Sequence, residues 1–441
     1  MTTESFVAQT APLRGTVQVP GSKSISNRAL VCAALAPGET HLRGIASGDD
    51  TRKMIEGLRT LGASLVMAGG NSERELRVTG PIAHTDTAAL TVDAGLAGTT
   101  SRFLTAVAAL REGPTTITGA PGLRARPMGE LHRILRHIGA VVEGEHAGLL
   151  PVTVRSGGLQ LAASISVPMR HELSVRGDVS SQFISALMLI APCIGGLRVR
   201  LDGPVVSSGY LEMTGTVMRE FGADVSVSAT VIEIGDKPYH ASRVVVDADW
   251  SSASYPFAAV AIVGGEVRVP NLRSNGSQPE EAFLNVLTQM GCKVDAGSGG
   301  VLVHRGSDST LRGVDVDMSA MSDLVPTVAS IAACASSPTR IRGVGFIRAK
   351  ESDRLGDLAH ELAACGVGVA VHDDGLTIEP RELRAATLQP HDDHRLAMSL
   401  SLLGLRIAGI AVTDADVVDK SWPEFWSAMR AGFNLTQDSR A

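Results

Sequence analysis

Aromatic residues are scarce in this chain of 441 residues, since Phe, Trp and Tyr make up only 3% of it, whereas Gly occurs 47 times. Aliphatic side chains must therefore form most of the core, and the many glycines predict tight turns between layered helices and sheets. The length predicts two or three domains.

An excess of basic residues is also lacking, because the formal net charge is −6. This balance disfavours a nucleic-acid-binding protein. The least polar stretch, 183–197, contains Ser, Pro and two Gly, so we expect a buried helix and no membrane span. The first fifteen residues have no apolar centre, so we expect no signal peptide.

Cysteine pairs and metal-ligand clusters are missing too. No two of the five cysteines have CxxC spacing, so we expect buried thiols in a reducing, cytoplasmic compartment. His391 and His394 stand near Asp392 and Asp393, but the two acids are equally well explained as helix caps, so we expect no metal. The GxxxxGK[ST], GxSxG, HExxH and Rossmann-type GxGxxG motifs are absent.

A pattern of helix, glycine and valine-rich strand recurs along the chain, at Gly62, Gly139, Gly222, Gly291 and Gly366. Each glycine is interpreted as a left-handed helix C-cap. A sixth helix carries Gly432 but lacks following strands, so we expect the N-terminal segment 14–21 ("RGTVQVPG") to supply them. Each unit is large enough for a βαβ-type subdomain. Three units per globule predict two domains, 1–19 plus 246–441 and 20–245, with the active site in the cleft between them.

Anion-binding chemistry collects at the predicted helix starts. The segment 19–30 ("VPGSKSISNRAL") places Lys23 and Arg28 where unpaired N–H groups and the positive end of a helix dipole attract anions. We expect Ser24 or Ser26 to cap this helix. Further helix starts in the first half carry Gly98 to Arg102, Arg124 and Arg126, Ser180 to Gln182, and Ser207 with Tyr210. Each of these alone is better explained by ordinary capping than by a ligand site.

The second half carries two candidate acids among more cations. In "RAKESDRL" (348–355), Glu351 and Arg354 have i,i+3 spacing, which alone predicts a salt-bridged, exposed helix face. Asp323 precedes a nearly uncharged helix, which alone predicts a simple N-cap. Arg395 opens a helix that is apolar on nearly every side, so only its start can meet solvent.

Taken together, these motifs predict a strongly electropositive site for ligands that carry phosphates and carboxylates. Six cations lie at or near helix starts in the two halves: Lys23, Arg28, Arg126, Arg354, Arg395 and Lys420. Asp323 and Glu351 stand out as the acids suited to proton transfer.

The motifs "PGSKSISNRAL", "AGTTSRF", "RARPMG", "VSSQF", "AKESDRL" and "DDHRLAM", in this order, resemble the 5-enolpyruvylshikimate-3-phosphate synthase family. The resemblance runs from about Leu13 to Phe433. It implies an α/β fold of the α+β type: two globular domains, each of three βαβαββ units, in an inside-out α/β barrel.

The resemblance also implies the reaction. The enolpyruvyl group of phosphoenolpyruvate moves to the 5-hydroxyl of shikimate 3-phosphate, by addition and elimination through a tetrahedral intermediate. No cofactor, nucleic acid or membrane partner is implied, and we expect a monomer and a target of glyphosate.

Site residues follow by motif match. Asp323 matches the proton acceptor and Glu351 the proton donor, with Lys23 as a further catalytic residue. The positions for shikimate 3-phosphate are Lys23, Ser24, Arg28, Ser180, Ser181, Gln182, Ser207, Asp323 and Lys350. Those for phosphoenolpyruvate are Lys23, Gly98, Arg126, Gln182, Arg354, Arg395 and Lys420.

Some positions depart from the family's commonest pattern. Leu96 and Phe103 stand where Asn and Pro are frequent, and Phe346 stands where Asn is frequent. The segment "SQPEEAF" lacks the usual Gly-Asp after Gln278. These departures leave ligand affinity and glyphosate sensitivity open.

Two other functions are compatible with parts of this pattern. The fold-sharing enolpyruvyl transferases that act on UDP-N-acetylglucosamine carry a reactive Cys five residues before an Arg-Pro pair, and here that position is Pro121. A non-catalytic anion-binding protein on the same scaffold is disfavoured because both Asp323 and Glu351 are retained.

Overall fold

The computed structural model describes residues 2–69, 75–144, 146, 148–157, 171–177, 180–203, 207–306 and 309–436. The chain forms two compact units, each with its own hydrophobic core. The central unit spans Gly21–Val246, and the terminal unit combines Met1–Pro20 with Asp247–Ala441. Within the described residues, no helix is long and apolar enough to cross a membrane.

The described part of the central unit contains three four-stranded sheets. The first has β3 (Gly38–Arg43), β4 (Ser64–Ala68), β5 (Glu75–Gly80) and β14 (Arg243–Val245), with helices α1 (Lys23–Leu35) and α2 (Asp49–Thr60). The second has β6 (Leu90–Asp93), β7 (Thr115–Thr118), β8 (Val141–Glu143) and β9 (Val152–Arg155), with α3 (Gly98–Ala108), α4 (Pro121–Arg124) and α5 (Gly129–His137). The third has β10 (His171–Arg176), β11 (Leu197–Asp202), β12 (Val225–Val227) and β13 (Val231–Ile234), with α6 (Ser181–Ile190) and α7 (Gly209–Glu220).

The terminal unit contains three further sheets. The fourth has β2 (Leu13–Thr16), β15 (Gly265–Val269), β16 (Lys293–Gly297) and β17 (Gly300–Arg305), with α8 (Trp250–Val263) and α9 (Phe283–Gln289). The fifth has β18 (Asp315–Asp317), β19 (Thr339–Arg342), β20 (Gly368–His372) and β21 (Gly375–Glu379), with α10 (Val325–Ala332) and α11 (Gly356–Ala364). The sixth has β1 (Thr3–Glu4), β22 (Ala386–Leu388) and β23 (Ile410–Thr413), with α12 (His394–Ser401) and α13 (Phe425–Phe433).

All five four-stranded sheets share one arrangement. An outer strand runs parallel to its neighbour, and the remaining two strands are antiparallel, as in the order β6-β7-β9-β8. A parallel pair needs a crossover connection, which α3 supplies between β6 and β7. The predicted fold of repeated βαβαββ units is therefore confirmed.

The N-terminal segment enters two different sheets. β2 pairs in parallel with β15 in the fourth sheet, whereas β1 pairs antiparallel with β23 in the sixth. The expectation that segment 14–21 completes the sixth repeat is therefore wrong. The two residues of β1 take that place, and the following strand, β2, belongs to the fourth sheet.

The predicted glycine caps are present in the five complete repeats. In each, the glycine has a positive φ. The N–H of the residue after the glycine donates to the carbonyl of the residue five positions before that donor, as Ala63 does to Leu58 at 3.0 Å. This geometry satisfies carbonyls at the helix end. The glycines and their φ values are Gly62 (104°), Gly139 (108°), Gly222 (84°), Gly291 (105°) and Gly366 (90°).

The sixth cap is Asn434, with a φ of 53°, and the predicted assignment to Gly432 is wrong. Gly432 lies inside α13, which packs on β2. A Cβ atom there would approach within 2.5 Å of Val17 Cγ2 and 3.0 Å of Thr16 O. Glycine at this position therefore permits close packing of the helix on the strand.

An arginine clasp accompanies the cap in each repeat of the central unit. The arginine three residues before the cap glycine donates to the carbonyl three residues after it. The pairs are Arg59 with Leu65 at 2.6 Å, Arg136 with Val142 at 2.8 Å and Arg219 with Val225 at 3.2 Å. In the terminal unit the corresponding residues are Thr288 and Ala363, so the clasp distinguishes the two units.

A fall in pH should lower the free energy of unfolding, partly through protonation of His132 on α5. This imidazole is 2% exposed, its Nε2 has no partner among the described residues, and burial lowers its pKa from 6.5 to about 4. Because the unfolded chain binds the proton more readily, stability is lost as pH falls from 6.5 towards 4, by about 3 kcal/mol at most.

Urea unfolding of wild type and His132→Gln at several pH values tests this. The variant should show a shallower loss of unfolding free energy in that window, whereas His360→Gln, at an exposed site on α11, should follow wild type. Equal slopes for wild type and His132→Gln would contradict the assignment.

Candidate functional site

Each unit carries its own group of predicted site residues, and most of them lie at helix starts. The central-unit set comprises Lys23, Ser24, Arg28, Gly98, Arg126, Ser180, Ser181, Gln182 and Ser207. The terminal-unit set comprises Asp323, Lys350, Glu351, Arg354, Arg395 and Lys420.

The start of α1 places Lys23 against an acid that the sequence reading missed. Ser22 caps the helix by accepting the Ile25 N–H at 3.4 Å, so the caps expected at Ser24 or Ser26 are wrong. Lys23 thereby becomes the first helical residue, and its ammonium contacts Asp50 at 2.9 Å. Asp50 sits in the first turn of α2, where an acid is common for capping reasons alone, so no signal marked it.

Arg28 lies one turn further along α1 and is buried. Its guanidinium donates to Thr214 Oγ1 at 2.7 Å and to the Ser24 carbonyl at 2.9 Å. It also lies over the rings of Phe103 and Tyr210, with centroids at 5.4 and 5.9 Å. Phe103, one of the departures from the family pattern, therefore stacks on a predicted ligand-binding arginine.

Gly98 begins α3 beneath two guanidinium groups. A Cβ atom at Gly98 would lie 2.7 Å from Arg102 Nη1 and 2.8 Å from Arg126 Nη1. Arg102 in turn donates to the side-chain oxygen of Gln182. The structure thus brings Gly98, Arg126 and Gln182 together around Arg102, a residue without an assigned role in the sequence reading.

The serine positions lie at two further helix starts of the central unit. Ser180 caps α6 by accepting the Gln182 N–H at 3.4 Å, and Ser181 is the first residue of that helix. Ser207 precedes α7 and adopts a left-handed φ of 56°. Helices α6 and α7 pack against each other, so these serines belong to neighbouring helices.

Asp323 is the centre of the terminal-unit set. Its Oδ1 contacts Lys350 and Arg354, each at 2.9 Å, and its Oδ2 contacts Arg395 at 2.8 Å. The residue lies in a short 3-10 turn, and α10 begins after it without a side-chain cap. The interpretation of Asp323 as a simple N-cap is therefore wrong.

Arg354 joins this group to two more carboxylates. Its Nε and Nη2 grip Asp393 at 2.6 and 3.2 Å, and Nη2 also contacts Glu351 at 2.9 Å. The Arg354 side chain is only 1% exposed and lies before α11, so the interpretation as an exposed helix face is wrong. Asp393 caps α12 by accepting the Arg395 N–H at 2.9 Å, which confirms its predicted role as a cap.

Attraction between opposite charges in the terminal-unit set outweighs the effect of burial on the pKa values of Asp323 and Arg354. Burial alone would raise the pKa of Asp323, but attraction to Arg395, Lys350 and Arg354 holds that pKa well below its usual range. Burial would lower the pKa of Arg354, but Asp393, Glu351 and Asp323 raise it instead. Asp323 is therefore ionised and Arg354 is charged.

Three of the six cations expected to create an electropositive site, Lys23, Arg354 and Arg395, contact acids in the described ion pairs. Lys23 contacts Asp50, while Lys350, Arg354 and Arg395 all contact Asp323. Lys420 is buried at the end of the short turn Ala415–Lys420, which packs on α12. Positive charge is thus largely matched where these pairs form, and an anionic ligand must compete with them.

The start of α8 differs from the start of α10, which has no side-chain cap. Asp249 caps α8 by accepting the Ser252 N–H at 2.9 Å. The buried amide of Gln278 accepts the Trp250 N–H at 3.2 Å and donates to the Ala248 carbonyl at 2.8 Å. The protein's own side chains therefore satisfy this helix start.

Comparisons with known proteins agree over nearly the whole chain. A sequence model of one family, described as EPSP synthase (3-phosphoshikimate 1-carboxyvinyltransferase), matches residues 7–429. A 3-phosphoshikimate 1-carboxyvinyltransferase of Methanoculleus marisnigri is 38% identical, with 96% of this chain and 98% of that protein covered. One of Nostoc sp. is 36% identical, with 97% and 98% covered.

Solved structures are similar as well. An EPSP synthase from Acinetobacter baumannii superposes with a TM-score of 0.76 at 26% identity, and 99% of each chain is covered. The enolpyruvyl transferase NikO from Streptomyces tendae gives a TM-score of 0.74 at 19% identity, with 98% of this chain and 97% of that chain covered. The second likeness concerns the fold alone.

Gly98→Ala should weaken the binding of anions by Arg126 and its neighbours Arg102 and Gln182. The added methyl would stand under 3 Å from two guanidinium ends, so Arg102 and Arg126 must shift from their present positions. We expect the KM for phosphoenolpyruvate to rise roughly tenfold and glyphosate inhibition to weaken more, which a steady-state assay measures.

The fold should tolerate this substitution, because φ at Gly98 is ordinary and the crowding atoms end flexible side chains. Thermal unfolding of Gly98→Ala should therefore match wild type. Unchanged affinities for both anions, or a variant that fails to fold, would contradict the prediction.

Proposed function

This chain belongs to the EPSP synthase family, and we propose that its two residue sets carry out the family's reaction. That reaction transfers the enolpyruvyl group of phosphoenolpyruvate to the 5-hydroxyl of shikimate 3-phosphate and releases phosphate. The protein is therefore a transferase of aromatic amino acid biosynthesis, in the shikimate pathway.

One observation carries the assignment of the chemistry. Two acids occupy different positions in one cation cluster: Asp323 contacts Lys350, Arg354 and Arg395, and Glu351 contacts Arg354. Addition and elimination need a base for the hydroxyl and an acid for the vinyl carbon, and differing environments suit carboxylates to differing roles.

We assign substrate binding by charge and position. Lys23 contacts both substrates, and Arg126, Arg354, Arg395 and Lys420 neutralise the phosphate and carboxylate of phosphoenolpyruvate. Gly98 leaves room for the guanidinium groups above it, and Gln182 contacts both substrates. The remaining assignments for shikimate 3-phosphate are Ser24, Arg28, Ser180, Ser181, Ser207, Asp323 and Lys350.

Proton transfer then follows the bonds that form and break. The oxygen of the 5-hydroxyl attacks C2 of phosphoenolpyruvate while Asp323 accepts the hydroxyl proton, and Glu351 protonates C3. The resulting tetrahedral adduct loses a proton from the new methyl group as the C2–O bond to phosphate breaks. The cations stabilise the negative charge that grows on the departing phosphate.

Three cations hold the pKa of Asp323 low, which makes this carboxylate a weak base as long as it contacts all three. The anionic groups of phosphoenolpyruvate compete for Arg354 and Arg395. Binding of this substrate therefore weakens the attraction between Asp323 and both arginines, so the pKa of Asp323 rises when the hydroxyl must be deprotonated.

Substitution of either acid should affect turnover far more than binding. Asp323→Asn and Glu351→Gln should each reduce kcat by about 10²–10⁴-fold, with affinity for shikimate 3-phosphate within roughly tenfold of wild type. Steady-state kinetics and calorimetry measure these quantities. In deuterated water, hydrogen exchange at C3 of phosphoenolpyruvate should be slowed selectively in Glu351→Gln. Turnover of that variant at the wild-type rate would transfer the donor role to Lys23.

Phosphate release from phosphoenolpyruvate, with and without shikimate 3-phosphate, tests the function itself. Release only when shikimate 3-phosphate is present supports the proposal. Release with UDP-N-acetylglucosamine would assign the fold-sharing alternative, and binding without release would assign the non-catalytic one. The monomeric state, the cytoplasmic location, the inhibition by glyphosate and the placement of the site between the two units stay predictions.

A further inference from the structure

The turn before α12 has a backbone that needs outside support. His391 and Asp392 are consecutive residues with positive φ, 53° and 58°, and neither is glycine. A side chain with a Cβ atom rarely adopts this left-handed region, so neighbouring contacts must hold the conformation.

Glu361 on α11 supplies two such contacts. Its Oε1 lies 2.7 Å from His391 Nε2, and its Oε2 accepts the Gln389 N–H at 2.9 Å. The Glu361 side chain is 5% exposed, so its carboxylate depends on these two partners for hydrogen bonds, whereas the His391 side chain is 30% exposed. One side chain thus fixes two points of the turn.

The turn leads directly into the terminal-unit set. The Asp393 N–H donates to the Pro390 carbonyl at 2.9 Å, and the Asp393 carboxylate then accepts the Arg395 N–H and is gripped by Arg354. Arg354 and Glu361 stand before and within the same helix, α11. The segment that carries Arg395 therefore makes hydrogen bonds on both sides of α11's length: to Arg354 just before the helix begins, and to Glu361 near the end of the helix.

We propose that Glu361 and His391 are positioning residues that orient Arg395 for phosphoenolpyruvate, an inference that rests on the function proposed above. They act through the turn and through Asp393, without contacting the substrate. Asp323 keeps its contacts with Lys350 and Arg354 if Arg395 shifts. The effect should therefore fall on phosphoenolpyruvate affinity and largely spare proton transfer.

Kinetics of Glu361 variants test this. Glu361→Ala loses both contacts and should raise the KM for phosphoenolpyruvate about tenfold, with kcat and the KM for shikimate 3-phosphate within about threefold of wild type. Glu361→Gln keeps an acceptor for Gln389 and an amide that faces His391, so it should restore most of the affinity. Glu75→Ala is the matched control, because Glu75 contacts His41 at the same 2.7 Å in the central unit. The control should leave the KM unchanged.

A second pair of variants separates the backbone from the side-chain contact. The His391 ring contacts Glu361 at 2.7 Å and lies 4.0 Å from Asp357. Asn tolerates the left-handed region, so His391→Asn removes these side-chain contacts and keeps a side chain suited to the backbone, whereas His391→Ala removes both. The KM for phosphoenolpyruvate should rise in both variants and more in His391→Ala. These two variants decide the matter if Glu361→Ala does not fold.

Amide hydrogen exchange over residues 393–397 gives a readout that needs no turnover. Exchange there should be faster in Glu361→Ala and unchanged in Glu75→Ala. A folded Glu361→Ala with wild-type KM, or one in which kcat and both KM values change together, would overturn the positioning role. If wild-type protein releases no phosphate, the proposed function fails, and wild-type exchange rates in Glu361→Ala would overturn this inference separately.

Discussion

The buried ion pair between Arg354 and Asp393 is the interaction on which the terminal-unit set depends. Both side chains are at most 1% exposed, and the guanidinium reaches both carboxylate oxygens. Removing one partner of such a pair typically costs about 3–5 kcal/mol, because the other charge is left buried and uncompensated. The same guanidinium also reaches Asp323 and Glu351, so one side chain contacts the cap of α12, the proposed base and the proposed acid together.

Charge matching is the second constraint. The described ion pairs give Lys23 an acid of its own and let three cations share Asp323. A site of this kind is stable without ligand and still presents positive charge when an anion displaces a carboxylate. Affinity is then a difference between two sets of ion pairs, so removing one cation costs ion pairs both with and without the anion, and the change in affinity is only the difference between the two losses.

The sequence predicted the repeat, the glycine caps and the cationic helix starts, because these depend on local patterns of apolar spacing, left-handed backbone and helix dipole. It did not predict Asp50 or the shared contacts of Asp323, because ion pairs between residues far apart in sequence depend on how the helices pack. Asp323 and Glu351 looked like a cap and a surface charge for the same reason. The C-cap of α13 was predicted at Gly432 instead of Asn434, because glycine is the usual residue at a cap. The close packing that requires glycine at 432 brings together residues far apart in sequence, so the local pattern does not predict it.

The placement of β1 and β2 has a consequence for synthesis on the ribosome. The central unit is one continuous stretch, whereas β1 must wait for its partner β23, whose last residue, Thr413, is 409 positions after Glu4. At typical elongation rates this delay is roughly 20–80 s. During that time β1 lacks its partner strand, while the central unit emerges with the described strands of its own sheets. The strands β1 and β23 therefore pair only after the whole central unit between them has been synthesised.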